Sequence, residues 1–277
     1  MKKIIMSIIV ILIIVVGAIF IFSKDDESAK KEVKTKKNDL ASISYYKKEY
    51  KERYDNYKKK NKELSNEDVI TRVNIGLDNS YYTNTYKTPY PNKDYILVNK
   101  YIYLGEDYVP DNLEDISTNY SRSGMRLVSS AKDAFETLAE QALKDNKKVI
   151  AMSSYRSYQY QVNLYNRYVA NEGVNAADTY SARPGYSEHQ TGLCVDVYDG
   201  VIDYTNFEKS DSYNWMMDNA YKYGFILRYP KGKENITGYQ YESWHYRYVG
   251  KKIAKYIHDN DITFDEYYVR QIADKMK

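Results

Sequence analysis

Two histidines in this chain keep company suited to holding a metal ion. The first lies in Ser187-Glu188-His189-Gln190-Thr191-Gly192-Leu193-Cys194-Val195-Asp196, and the second closes Glu242-Ser243-Trp244-His245. His189 falls in a polar loop beside Gly192, whereas Asp196 sits between Val195 and Val197 in an apolar run. A carboxylate in such a run is costly to bury unless it is paired or bound to a cation. His189, Asp196 and His245 would give three protein ligands and leave the fourth tetrahedral position for water or substrate. That is the layout of a catalytic rather than a structural zinc site. Glu242, three residues before His245, can set a general base beside a ligand. Spacing alone leaves other roles open: a helix cap or salt bridge for Asp196, a solvated charge for Glu242. The third histidine, His258, near the end of a polar helix, reads as a surface residue.

Composition narrows the chemistry further. Cys194 is the only cysteine in 277 residues, so no intramolecular disulfide forms and a thiolate-rich zinc finger is excluded. Any metal must therefore use His and carboxylate ligands, and Cys194, alternating with Val195, is expected to pack in the core. The net charge of +3 gives no global field for nucleic acid, and no basic cluster interleaved with aromatics lies in the globular part. The 34 tyrosines are a compositional bias to which no function is attached.

The elements that must position these residues follow from periodicity. Ser65-Asn66-Glu67-Asp68 offers a helix start before Val69, Ile70 and Val73. Tyr95–Val98 and Lys100–Leu104 read as strands. Ser129 to Asp145 carries Ala131, Phe135, Leu138 and Ala142 at helical spacing, and Val149–Met152 then reads as a short buried strand. Tyr158–Glu172 is a helix closed by Gly173. Val195–Tyr198 is a strand, Asn214–Tyr223 a helix stopped by Gly224, and Phe225–Tyr229 a strand stopped by Pro230. Tyr241–Val249 is β-prone and Lys251–His258 helical. Without a regular βαβ alternation, α+β is the fold class.

The N-terminus speaks to location. Ile4 to Phe22 is an unbroken apolar run of 19 residues after Met1-Lys2-Lys3, close to what a hydrocarbon core of ~30 Å requires. No small-residue cleavage site follows it, so an uncleaved anchor is expected over 4–22. Lys2 and Lys3 before the span, and Asp25-Asp26-Glu27 after it, put residues 1–3 in the cytoplasm and the rest outside. Residues 23–64 are polar, cannot bury a core, and read as a stalk, either disordered or a solvated helix.

The two histidine motifs resemble the signatures of the D-alanyl-D-alanine carboxypeptidase family of zinc peptidases, which includes VanY-type enzymes and related L,D-carboxypeptidases and D,D-dipeptidases. Leu97-Val98-Asn99-Lys100, Tyr108-Val109-Pro110 with Leu113, and Ser154-Tyr155-Arg156-Ser157 followed by Gln161 are similar to further segments of that family, in order. The resemblance runs from about Ser65 to the C-terminus. It implies a single domain over 65–277 of the Hedgehog/DD-peptidase type, a small mixed or antiparallel sheet flanked by helices. It also implies one Zn2+ on His189, Asp196 and His245, with Glu242 as general base and Arg156 polarising the scissile carbonyl. Gln161 and Ser187 fall at substrate-binding positions, Ser187 at the carboxylate end of the peptide. Cys194 departs from the family, where a small residue, typically alanine, is usual. The implied activity is a membrane-anchored D,D-carboxypeptidase removing the terminal D-alanine from peptidoglycan stem peptides outside a Gram-positive-type cell. An L,D-carboxypeptidase, an endopeptidase and a non-catalytic zinc-containing wall-peptide module are the alternatives.

Overall fold

The computed structural model of the protein describes residues 40–273. The anchor expected over 4–22 and the first part of the expected stalk lie outside the described residues. Among the described residues, no helix is long and apolar enough to cross a membrane. The chain divides into two compact units between Ile70 and Thr71.

In the first unit, helix α1 (Lys51–Lys60) carries a single buried residue, Tyr54. The rings of Tyr46 and Tyr50 lie 5.3 and 6.2 Å from that of Tyr54, whose hydroxyl accepts from the backbone of Lys47. Part of the expected stalk is therefore helical, held by aromatic packing. Helix α2 (Asn66–Ile75), through which the division between the units runs, starts where Ser65 Oγ accepts from the amide of Asp68, an N-cap that satisfies one orphan donor.

The second unit is α+β. Strands β1 (Tyr86–Lys87) and β2 (Ile102–Tyr103) pair in parallel, and β3 (Leu113–Asp115) and β4 (Arg126–Val128) antiparallel. The central sheet holds β5 (Ile150–Ser153), β6 (Cys194–Tyr198), β7 (Phe225–Leu227) and β8 (His245–Tyr248), in the order β5-β6-β8-β7, all antiparallel. Side chains alternate across a strand, so β6 and β8 each present two chemistries. Val195, Val197 and Tyr246 face the main core, where Phe135, Leu138 and Ala142 of α3 (Ser129–Lys144) pack with Ile96, Leu127 and Phe225. Cys194, Asp196, His245 and Arg247 share the other face, because Asp196 pairs with His245 and Cys194 with Arg247.

Around the sheet lie α4 (Tyr158–Glu172), α5 (Val174–Tyr180), α6 (Asp211–Asn219), α7 (Glu234–Thr237), α8 (Lys251–Asn260) and α9 (Phe264–Tyr267). Helix α4 has the expected bounds, capped by Ser157 Oγ on the amide of Tyr160. Helix α6 starts three residues before the expected Asn214 because Ser210 caps it, and ends at Asn219, with a 3-10 turn over Ala220–Tyr223.

One expected strand is absent. Ile96, Leu97 and Val98 are fully buried but pair with no strand among the described residues. The carbonyls of Asp94 and Ile96 instead accept from the guanidinium of Arg247, at 2.9 and 2.7 Å. A buried cation satisfies this backbone where a ladder was expected. Lys100–Leu104 shortens to Ile102–Tyr103 because Asn99 Oδ1 takes the amides of Tyr101 and Ile102. The strands β3 and β4 and the helices α5 and α9 lack a strong periodic signal and were not expected.

Candidate metal centre and active site

The centre is built where β6, β8 and a 3-10 turn (Glu188–Thr191) meet. That turn is locked into β6 by local bonds. Thr191 Oγ1 donates to the carbonyl of Glu188 and accepts from the amide of Leu193. Gly192 follows at φ +68°, where a Cβ would lie 2.9 Å from Leu113 Cδ2 and 3.1 Å from Val128 Cγ2. Only glycine fits both the left-handed backbone and the contact. Seven residues of sequence separation thus become a short gap between His189 and Asp196.

Each ligand candidate is oriented by a second contact. His189 Nδ1 lies 2.7 Å from the carbonyl oxygen of Ser154, a donor–acceptor pair that leaves Nε2 facing Asp196 Oδ2 at 3.4 Å. Nδ1 of His245 lies 3.2 Å from Asp196 Oδ1 and 3.5 Å from Glu242 Oε2. The two imidazoles meet edge to face with centroids 5.0 Å apart. All four residues are 3–6 % exposed. Among the described residues Asp196 Oδ1 has no hydrogen-bond partner, and an orphaned buried acceptor costs roughly 1–3 kcal/mol. A cation between the two ring nitrogens and this oxygen removes that cost, so the donor set fits a zinc ion.

Cys194 corrects one expectation. It is fully buried, yet it lies on the ligand face of β6, and its Sγ and one ring nitrogen from each of His189 and His245 fall within 4.8 Å of one another. Strand alternation explains this, since residues 194 and 196 share a face. Asp196, close to both rings, completes a group of four possible donors.

The charges follow from the crowding. Burial alone lowers an imidazole pKa, but Asp196 and Cys194 outweigh both it and Arg156, and raise His189 to about 9. His245 is likewise held well above its ordinary value, against burial, by Cys194, Asp196 and Glu188. Burial pushes Asp196 up, yet His189 and Arg156 hold it well below the carboxylate range. Glu242 goes the other way: burial, with Asp196 adding to it, lifts its carboxyl to about 7. Burial raises the Cys194 thiol, and the two histidines more than offset that, leaving it at about 7.

The remaining expected residues sit around this centre. A bulge in β5 brings Ser153 opposite Asp196. Ser153 Oγ accepts from Arg156 Nε and Nη2 at 3.0 and 2.7 Å, and Arg156 Nη2 reaches Asp196 Oδ2 at 2.6 Å. The guanidinium is thus paired with a ligand candidate, its side chain one-fifth exposed. Ser187 is buried at the start of the 3-10 turn. Gln161, on α4, donates to the carbonyl of Ala182, and its buried Oε1 has no hydrogen-bond partner among the described residues.

A buried ionic network behind His245 was not foreseen. Glu188 Oε1 accepts from Arg228 Nε at 2.7 Å and Arg247 Nη1 at 3.1 Å, and Arg228 Nη1 donates to Asp265 Oδ2 at 2.6 Å. Burial raises the Glu188 pKa, but the two guanidiniums prevail and hold it well below the carboxylate range. A signal was present: Arg228 and Arg247 interrupt apolar and aromatic strands much as Asp196 does, and invite the same question about burial.

Comparison with known proteins agrees with this geometry. The family model for D-alanyl-D-alanine carboxypeptidase (VanY) matches residues 124–251. The YodJ protein of Bacillus subtilis (strain 168) is 42% identical over 182 residues, 62% of this chain and 66% of its own length. The chain therefore spans just under two thirds of that relative. Among solved structures, the LdcB LD-carboxypeptidase is similar with a TM-score of 0.63 and 39% identity, covering 68% of this chain and 91% of that one. A mutant of the vancomycin-resistance D,D-pentapeptidase VanY, in complex with Zn(II), gives a TM-score of 0.55 and 34% identity over 63% and 98%. The chain belongs to the D-alanyl-D-alanine carboxypeptidase family of zinc peptidases.

Proposed function

We propose that the protein is a zinc-dependent carboxypeptidase that removes the terminal D-alanine from peptidoglycan stem peptides. The observation that carries this reading is the convergence of His189, Asp196 and His245 with the buried carboxyl of Glu242. When bound by those three residues, zinc supplies a Lewis acid that polarises the scissile carbonyl and acidifies an attacking water. Glu242 takes the water proton and returns it to the leaving amine, a task suited to a carboxyl lifted to about 7. Arg156, fixed by Ser153, puts positive charge at the edge of the centre, where an oxyanion would develop. Ser187 holds the terminal carboxylate through its hydroxyl, and the unclaimed Oε1 of Gln161 offers an acceptor to the peptide.

A second reading is L,D cleavage of a tetrapeptide stem. It is favoured by the LdcB LD-carboxypeptidase, whose TM-score of 0.63 exceeds the 0.55 of the D,D-enzyme. Incubating the zinc-loaded protein with pentapeptide and tetrapeptide stems side by side separates the two. The first reading expects D-alanine mainly from the pentapeptide; release from the tetrapeptide alone would replace it by the second. Release from neither, with zinc bound, would favour a binding module.

The apolar run over 4–22 supports a place for this activity outside the cell, on a single-pass anchor. Protease added to intact cells should remove the C-terminal domain; a fully protected domain would count against this orientation.

A further inference from the structure

Oε2 of Glu188 and Nε2 of His245 lie 3.5 Å apart, and neither buried atom has a hydrogen-bond partner among the described residues. A shift of about 0.6 Å would bring them to the usual ~2.9 Å of an N–H···O bond. Glu188 is not free to turn away. Arg228 and Arg247 hold its other oxygen, Asp265 takes Arg228 in a two-point contact, and Asn99 Nδ2 donates to Asp265 Oδ1 at 2.9 Å. The carbonyls of Asp94 and Ile96 hold Arg247 from the other side.

The side chains of Glu188, Arg228 and Arg247 have no exposure, and that of Asp265 has 1%. Taking such charges out of water costs several kcal/mol per ion, and apolar side chains would fill the same space at less cost. What apolar side chains would not do is hold a carboxylate oxygen against one nitrogen of a ring whose other nitrogen faces Asp196 and Glu242. A histidine ligand is set in this way when its second ring nitrogen donates to a fixed carboxylate.

We infer that Glu188 is a positioning residue for the metal centre: it accepts the Nε2 proton of His245, which keeps Nδ1 bare toward Asp196. The two arginines, with Asp265 behind them, aim that carboxylate. This rests on the zinc reading of the site, with His245 facing the metal position through Nδ1 and His189 through Nε2.

The test uses the full chain, labelled with 15N-histidine and loaded with zinc. Long-range 1H–15N correlations should show His245 with its proton on Nε2 and the metal on Nδ1. The reverse arrangement would overturn the inference whatever happens to any variant. In Glu188→Gln the arginines claim the amide oxygen, so the amide NH2 faces His245 and favours the opposite tautomer. Zinc affinity should then fall about 10–100-fold, the range for loss of such an outer partner. Leu138→Ala, which opens a cavity in the core on the other face of the sheet, serves as the structural control. It should lower the melting temperature while leaving zinc affinity near that of the unaltered protein. Equal affinity loss in both variants, or none in Glu188→Gln, would overturn the role. Absence of zinc from the unaltered protein would overturn the proposed function as well.

Discussion

Asp196 on β6 stands directly opposite His245 on β8, with its Oδ1 3.2 Å from Nδ1 of the ring. Forty-nine residues of chain separate them, and one rung of an antiparallel ladder joins them. The centre is therefore as rigid as the sheet, which buries Val195, Val197 and Tyr246 on its other face.

Protons and zinc compete for the same nitrogens. His189 holds its proton up to about 9, and His245 is held well above its ordinary value, in the metal-free protein. Zinc must displace them, so apparent affinity should fall as pH drops below about 9, about tenfold per pH unit for each proton released. Competition titrations between pH 6 and 9 measure the slope. A flat profile would mean that the rings are already neutral.

Stability should turn with pH in opposite senses with and without metal. Glu242, His189 and His245 all have raised pKa values in the folded state, so the folded protein holds protons that the unfolded chain releases. Their contribution is present below their ordinary values and is lost as pH rises through about 7 for Glu242 and about 9 for His189. Metal-free protein should melt lower at pH 8.5 than at pH 5.5, and saturating zinc should reverse the order. Thermal scans at the two pH values decide it, and a higher metal-free melting point at pH 8.5 would contradict the assignment.

Arg156 should act on turnover more than on substrate binding. Replacing it with alanine removes the cation beside Asp196 and should lower kcat about 10²–10³-fold, the scale of losing one oxyanion-stabilising donor. Steady-state kinetics on the cleaved stem peptide test this. A rise in KM with unchanged kcat would assign Arg156 to binding alone.

Gly192→Ala should reach the centre through the backbone. The added methyl meets Leu113 and Val128 at 2.9 and 3.1 Å on a left-handed residue. Overpacking of this kind costs typically about 1–3 kcal/mol. The variant should show a lower melting temperature and weaker zinc binding together; full stability would show that the turn after His189 relaxes easily.

How much of this was legible beforehand follows from how local each signal is. Helices α3 and α4 carry their own periodicity and caps, and the strand holding Asp196 announces itself by the charge within it. The site residues were named from two short motifs and a family resemblance, and the sheet, with the turn before β6 and the segment before β8, brings His189, Asp196, His245 and Glu242 within a few ångströms. The run Ile96–Val98 misled because apolar residues alone do not separate a strand from a buried extended segment. Its partner is Arg247, some 150 positions away. Glu188 was passed over for the same reason: its partners at positions 228 and 247 are invisible to any local pattern. Cys194 shows the reverse case, where counting by twos from Asp196 would have placed it on the ligand face.

The central claim is that this centre cuts stem peptides using zinc and Glu242. Alanine release should be followed by the full-length protein with one zinc bound, by the same protein after chelation, and by Glu242→Gln. The account predicts release only from the first, restored when zinc is returned to the second, while Glu242→Gln retains its zinc and loses turnover by at least about 10²-fold. Undiminished release from Glu242→Gln, or from the chelated protein, would contradict it.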